Sequence, residues 1–231
     1  VRTDGSLPMI FTAHLREAGI DVEYDPQLAV LDRRTKSEEE LAHLREAQAV
    51  TEEAMEFACR TICAATPDAE GILSDGDTVL TSELMRQRIT SFLIGKNCSN
   101  HHDSIVVTVP HVADCHHHGT GPLCTGLPVI VDIFPRVNAT GYWGDCTRTA
   151  VNGEPSPEIV QMHAAVVKAK ADAITALRVG TTGDDVHRAT VASITGSGYV
   201  MGLPPEGSAE DFTSMRHGTG HGIGLDVHEP I

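Results

Sequence analysis

The spacing of apolar positions divides the chain near residue 100. Before it, Leu41, Leu44, Ala47, Ala54, Met55 and Ala58 recur near a helical period, with Gln48 and Thr51 as polar breaks in the stripe. Ser37-Glu38-Glu39-Glu40 has the form of a capping box. A long helix is therefore predicted over 37–64, ended by Pro67 and Gly71. A second helix is predicted from Ser82 to Ile94, with Gly95 as its stop. Beyond it, Ile105 to Val109 reads as a strand, and Pro128 to Phe134 as a strand apolar enough to be buried on both faces. Tyr142 to Val151 is predicted as a third strand, joined to the second by a hairpin connection over 136–141. Pro157 suits the first turn of a helix running to about Leu177, and Asp184 or Asp185 opens another to about Thr195. Gly218 to Gly224 alternates Gly with Thr, His and Ile, which predicts a strand that other groups approach closely. Residues 1–33 read as helix, turn and strand, too short to fold alone, and Arg33 to Lys36 as a polar linker. Helices, then strands, then helices and a strand make an α+β chain.

Composition narrows the function. The 231 residues carry 17 Lys+Arg against 32 Asp+Glu, a net charge of −15, which argues against nucleic acid and against an anionic membrane surface as partner. Aromatics are only 4%, so a stacking platform for bases is not expected. No apolar run reaches the ~18 residues of a bilayer span. The six Cys form no CxxC pair, and Cys59 and Cys63 read as free thiols one helical turn apart, so a reducing, cytoplasmic setting is expected. The start at Val1-Arg2-Thr3 and the end at Pro230-Ile231 lead us to expect a fragment. Of 13 His, 11 lie after residue 100, which turns attention to that half.

Asp132 stands inside Val129-Ile130-Val131-Asp132-Ile133. A carboxylate there is either a structural group capping a nearby turn or part of a site with a partner or cation. Asp145 follows thirteen residues later, in Gly144-Asp145-Cys146-Thr147-Arg148-Thr149. Across a hairpin the two carboxylates can lie side by side, and such a pair repels unless it shares a proton or holds a cation. The plainer alternative is a solvated ion pair of Asp145 with Arg148. His217, His221 and His228 fall in Arg216-His217-Gly218-Thr219-Gly220-His221-Gly222-Ile223-Gly224-Leu225-Asp226-Val227-His228-Glu229. On a strand, His217 and His221 would share a face, and the glycines would leave room for a ligand or metal. The spacing is not that of a zincin helix, and no Cys ligands accompany it, so a structural zinc site is disfavoured. His111 and the run Cys115-His116-His117-His118 precede Gly119-Thr120-Gly121. Three consecutive His cannot all face one site, so one is expected to act while the others line a partly solvated loop.

In order and spacing these motifs resemble the pita-bread metallopeptidases, the family of aminopeptidase P, prolidase, methionine aminopeptidase and the metal-free creatinase. The resemblance covers roughly residues 33–231. It implies an α+β pita-bread fold, incomplete at its C-terminus. Residues 34–231 would be a truncated catalytic domain, and residues 1–33 the tail of an N-terminal creatinase-like domain plus linker. It implies two divalent metal ions, Mn²⁺ first and Co²⁺ or Zn²⁺ next, with Asp132 chelating, Asp145 bridging and His221 as the imidazole ligand. The ions would activate a water for attack on the scissile carbonyl. His217 and His228 would bind substrate and stabilise the tetrahedral intermediate, joined by His116, with His118 the alternative.

Two departures stand out. The Asp-to-Asp spacing is two residues longer than is usual in the family, and the extra length falls in the hairpin, where it costs little. Both family Glu ligands belong after the His motif, and Glu229 is no substitute because it sits inside the His228 motif. The activity implied is hydrolysis of N-terminal Xaa-Pro bonds in short peptides, with the fragment itself expected to be inactive and a homodimer left open. A methionine aminopeptidase-like enzyme, a metal-free creatinase-like hydrolase and a non-catalytic pita-bread binding domain are the alternatives.

Overall fold

The computed structural model describes residues 1–208 and 212–230, so Ile231 of the expected 34–231 domain lies outside the described residues. Near the N-terminus β1 (Arg2–Thr3) pairs in parallel with β2 (Glu23–Tyr24), joined through α1 (Met9–Glu17). The polar linker is partly helical, because Arg33 and Arg34 close the short α2 (Val30–Arg34). The long helix α3 (Glu38–Ala64) opens on the expected capping box, with the Ser37 N–H donating to Glu40 at 2.7 Å. Its inward face carries Ala47, Thr51, Ala54, Met55, Ala58 and Ile62. Small residues at three of these positions let the sheet come close.

Next come three very short strands, β3 (Thr66–Pro67), β4 (Leu73–Asp75) and β5 (Thr78–Val79), which form a small antiparallel sheet. Two or three residues are too few for a period to show in a sequence. Helix α4 (Ser82–Gly95) is capped by Thr81, whose hydroxyl accepts from the Leu84 N–H at 3.1 Å. Strands β6 (Cys98–Ser99), β7 (Ile105–Thr108), β8 (Pro128–Ile133), β9 (Arg136–Val137) and β10 (Cys146–Val151) follow. The antiparallel sheet β10-β8-β7 packs on α3 and α4, while β6 pairs with β9. Ile62, Leu73, Leu80, Met85, Ile89, Leu93, Val106, Leu123, Val129, Val131 and Ile133 are fully buried in the core so formed. Helix α5 (Pro157–Ala176) packs on α6 (Gly183–Gly196), and β11 (Val200–Met201) pairs in parallel with β12 (Ser214–Met215). All six Cys are free. Among the described residues no helix is long and apolar enough to cross a membrane.

Three expectations are corrected. Strand β8 is not buried on both faces: Val129, Val131 and Ile133 point into the core, while Pro128, Ile130 and Asp132 lie half-buried on the other side. The third strand starts at Cys146, not Tyr142, because the preceding amides are engaged elsewhere. The Trp143 N–H donates to Gly224, the Gly144 N–H to Pro135 and the Asp145 N–H to the Gln48 side chain. The glycine-rich segment 218–224 is not a strand. It folds back on itself, with Gly222 and Glu229 exchanging two N–H···O bonds of 2.9 Å and the Gly224 N–H reaching Asp226.

Candidate metal centre

Sheet register places the first of the two carboxylates. Asp132 on β8 stands directly opposite Thr147 on β10. Asp145 lies two residues before Thr147, immediately ahead of β10. The Thr147 hydroxyl donates to Asp132 Oδ1 at 2.6 Å. Asp145 is held through its backbone, whose N–H donates to Gln48 Oε1 at 3.2 Å.

The neighbouring Gly144 explains the other polar break in the helix stripe. A Cβ there would lie 2.1 Å from Thr51 Oγ1 and 2.6 Å from the Ala47 carbonyl oxygen. Gln48 and Thr51 are thus the points on α3 where the Gly144-Asp145 backbone docks. Thr51 itself is satisfied, because its hydroxyl donates to the Ala47 carbonyl at 2.8 Å.

His221 and His228 complete the cluster. His221 Nε2 lies 3.3 Å from Asp145 Oδ2, and the two imidazoles meet edge to face with centroids 4.2 Å apart. His221 Nδ1 lies 2.9 Å from the Gly222 carbonyl oxygen, which can only accept, so the hydrogen-bond network assigns the proton to Nδ1. In the neutral ring Nε2 then presents a lone pair to a carboxylate oxygen. That approach is attractive only with a proton or a cation between them.

Burial raises the Asp132 carboxyl above the usual range, and the Asp145 charge adds to the rise, while the Thr147 hydrogen bond and the nearby imidazoles oppose it. Burial likewise raises Asp145, against the influence of His221 and His228. By type, two carboxylates and an imidazole nitrogen are a donor set suited to a divalent cation, mostly oxygen with one nitrogen; in this structure His221 meets Asp145, but the ligand atoms of Asp132, Asp145 and His221 do not all lie within 4.8 Å of one another.

The other candidates have contacts of their own. His217 is exposed, and its Nδ1 donates to the Gly218 carbonyl at 2.8 Å. With no strand here, the shared face expected for His217 and His221 is absent. His116 stands with Asp114 and Cys115, their ligand atoms within 4.8 Å of one another and all three exposed. His118 Nδ1 lies 3.4 Å from the Ser104 carbonyl oxygen, and the His117 ring stacks on His111 with centroids 4.2 Å apart.

Thr147, Gln48 and Trp143 were not singled out by the sequence, although Gln48 was visible as a polar residue in an apolar stripe. Trp143 braces the histidine loop: its Nε1–H donates to the Leu225 carbonyl at 2.9 Å and its backbone N–H to Gly224 at 3.0 Å.

Comparison with known proteins gives three kinds of likeness. The model of metallopeptidase family M24 matches residues 42–231. The probable dipeptidase PepE of Mycobacterium tuberculosis is 38% identical over 126 residues, covering 54% of this chain and 30% of that protein. Among solved structures, the prolidase of Pyrococcus horikoshii superposes with a TM-score of 0.77 at 20% identity, over 99% of this chain and 59% of that one. The dipeptidase PepE of Mycobacterium ulcerans superposes with a TM-score of 0.72 at 28% identity, over 98% of this chain and 54% of that one. The chain thus spans less than two thirds of the length of each of these relatives.

Proposed function

Because the chain belongs to metallopeptidase family M24, we propose that Asp132, Asp145 and His221 are metal ligands of a peptidase that removes residues at N-terminal Xaa-Pro bonds. The fold is the α+β pita-bread fold that the motifs led us to expect. The reading rests chiefly on one observation: His221 Nε2, with its other nitrogen committed to Gly222, faces Asp145 Oδ2 at 3.3 Å. Two divalent ions, Mn²⁺ before Co²⁺ or Zn²⁺, would supply Lewis acidity and lower the pKa of a water at neutral pH.

The residues of the chain do the rest. Thr147 donates to one oxygen of Asp132 and restrains its carboxylate. The Gly222 carbonyl fixes the tautomer of His221, so that its lone pair faces inward. His228, edge-on to His221, is placed to donate to a carbonyl oxygen that gains charge. His217 and His116 are proposed for substrate contacts on the motif resemblance. The resemblance also implies two Glu ligands beyond the histidine motif, and the activity proposed is that of a chain carrying them. Xaa-Pro specificity is favoured over methionine removal because the prolidase and PepE likenesses run through residues 1–41, ahead of the family match. A short peptide substrate and a cytoplasmic setting complete the reading.

An assay of the whole protein on Xaa-Pro and Met-Ala peptides, with Mn²⁺ or Co²⁺ added, tests it. Metal-dependent cleavage of the Xaa-Pro peptides is expected. Cleavage of Met-Ala alone would sink the substrate assignment, and metal-independent turnover would sink the ligand assignment.

A further inference from the structure

Glu229 is charged and yet buried, with a side chain only 4% exposed. Such a group is costly unless it is both paired and hydrogen-bonded, and Glu229 is both. Its Oε1 accepts from Arg33 Nε at 3.0 Å, from Arg33 Nη2 and from the Leu225 N–H at 3.0 Å. Its Oε2 accepts from Lys36 Nζ at 2.7 Å. Arg33 Nη2 also reaches Asp226 Oδ2 at 2.7 Å, so two cations face two anions. Burial works against the Glu229 charge, but Lys36 and Arg33 outweigh it and hold the carboxyl below its usual range.

Backbone space is arranged for the same carboxylate. A Cβ at Gly224 would lie 2.6 and 2.7 Å from the two Glu229 oxygens, and one at Gly222 would lie 2.9 Å from the Glu229 carbonyl oxygen. These two glycines therefore make room for Glu229, not for a ligand as their spacing suggested. The partners lie far apart in sequence: Arg33 and Glu229 are separated by 196 residues. Arg33 sits near the end of α2, and Lys36 immediately precedes the cap of α3. The loop they grip carries His221 at one end and His228 at the other, and it lacks a strand ladder of its own.

We propose that Glu229, clamped by Arg33 and Lys36, is a positioning residue of the centre. It closes the 221–229 loop so that His221 and His228 face Asp132 and Asp145, and it ties their placement to the segment ahead of α3. The proposal rests on the metal-centre reading for its consequence, but its geometry can be read without metal.

The test uses the 231-residue chain with two variants, Glu229→Gln and Arg33→Met. The Arg33 side chain is 35% exposed and Lys36 still pairs Glu229 when it is replaced, so the second variant is the milder of the two. Three readouts are taken: ring resonances of His221 and His228, amide exchange over 222–229, and visible absorption on titration with Co²⁺. Both variants are expected to shift the two rings and to speed exchange in the loop at least tenfold. Co²⁺ affinity should fall about 10–100-fold, the scale seen when an outer partner of a ligand is lost. A core variant, Ile62→Val, should lower stability while leaving rings and Co²⁺ affinity unchanged.

Unchanged rings and exchange in the clamp variants would overturn the proposal. So would a loosened loop with unaltered Co²⁺ affinity. If the parent chain shows no Co²⁺ absorption at all, the rings and exchange alone decide whether Glu229 positions the loop, and the metal reading is decided by Co²⁺ titration of a chain that carries the two further Glu ligands.

Discussion

The two sides of the candidate centre are built in different ways. Asp132 stands on a sheet whose inner face, with Val129, Val131 and Ile133, is fully buried against α3 and α4, and Asp145 lies immediately ahead of the edge strand of that sheet, its backbone docked on Gln48 of α3. Strand register fixes Asp132 opposite Thr147 and cannot slip by one residue without turning every core side chain outward, while the α3 contact of its backbone fixes Asp145. His221 and His228 stand on a loop without a ladder, held by one backbone pair, two Trp143 hydrogen bonds and the Glu229 cluster. A carboxylate pair can thus be fixed by core packing, whereas the imidazoles depend on a few polar contacts made across long sequence separations. Stability and site geometry should therefore be separable by mutation: core changes act on the first side, tether changes on the second.

The largest expected effect breaks the sheet-built side. Gly144→Ala drives a methyl group into the Ala47 backbone and the Thr51 hydroxyl, neither of which is the far end of a flexible chain. Overpacking of this kind costs about 3 kcal/mol, and it should displace Asp145 as well. Denaturant unfolding measures the loss, and a value within experimental error of the parent would refute the docking role of Gly144.

Trp143→Phe acts on the loop-built side. It removes the Nε1–H···O bond to Leu225 and part of a buried ring, for a cost of about 2 kcal/mol. Amide exchange should quicken over 222–229 while the β8 and β10 amides stay protected. Equal loss of protection in both regions would erase the distinction between them.

Thr147→Val keeps the shape of the side chain and removes the donor to Asp132 Oδ1. Stability should change by about 1 kcal/mol or less, since Thr147 is exposed, while Mn²⁺ affinity measured by calorimetry should fall about tenfold. A variant that binds Mn²⁺ as the parent does would show that Asp132 needs no such partner.

The smallest effect is a pH dependence remote from the centre. Asp185 caps α6, accepting from the Thr182 N–H and hydroxyl and pairing with Arg188, which holds its carboxyl at about 2. A folded value below the unfolded one means that its stabilisation is present at neutral pH and is lost as the pH falls from about 4 toward 2. Backbone resonances at the start of α6 should report this loosening, and Asp185→Asn should flatten the response. Helix α6 reaches the loop through His187, whose Nδ1 lies 2.9 Å from Thr219 Oγ1. The Glu229 contacts lie elsewhere on the loop, so the 222–229 amides should follow their own acid transition. A single shared transition would mean that α6 and the clamp act as one support.

Much of this molecule could be read from local pattern. The helices over 38–64, 82–95, 157–176 and 183–196 follow apolar spacing and capping residues, because a helix satisfies its hydrogen bonds within a few residues along the chain. The three strands of the central sheet were legible from their apolar runs, and Asp132, Asp145 and His221 stood out as candidates because a fold tolerates such residues there only with a partner, which for Asp145 and His221 is each other. Strands of two residues were not legible, since no period fits in them. The glycine-rich segment misled because alternation predicts a strand only when a neighbouring strand exists to pair with it, and Gly222 pairs with Glu229 of its own loop instead.

The supports of the site belong to tertiary structure. Gln48 reaches the backbone of Asp145 across 97 residues, and Arg33 reaches Glu229 across 196. Neither distance leaves a periodic trace, because such contacts depend on where whole elements pack and not on the neighbours of either residue. Sequence alone offered Asp132, Asp145 and His221 as candidate ligands and determined the main helices and the strands of the central sheet. Packing decided that Thr147 faces Asp132, that Gly144 touches α3, and that a buried Glu229 draws Arg33 and Lys36 to the histidine loop, since burying its charge is tolerable only where opposite charges converge.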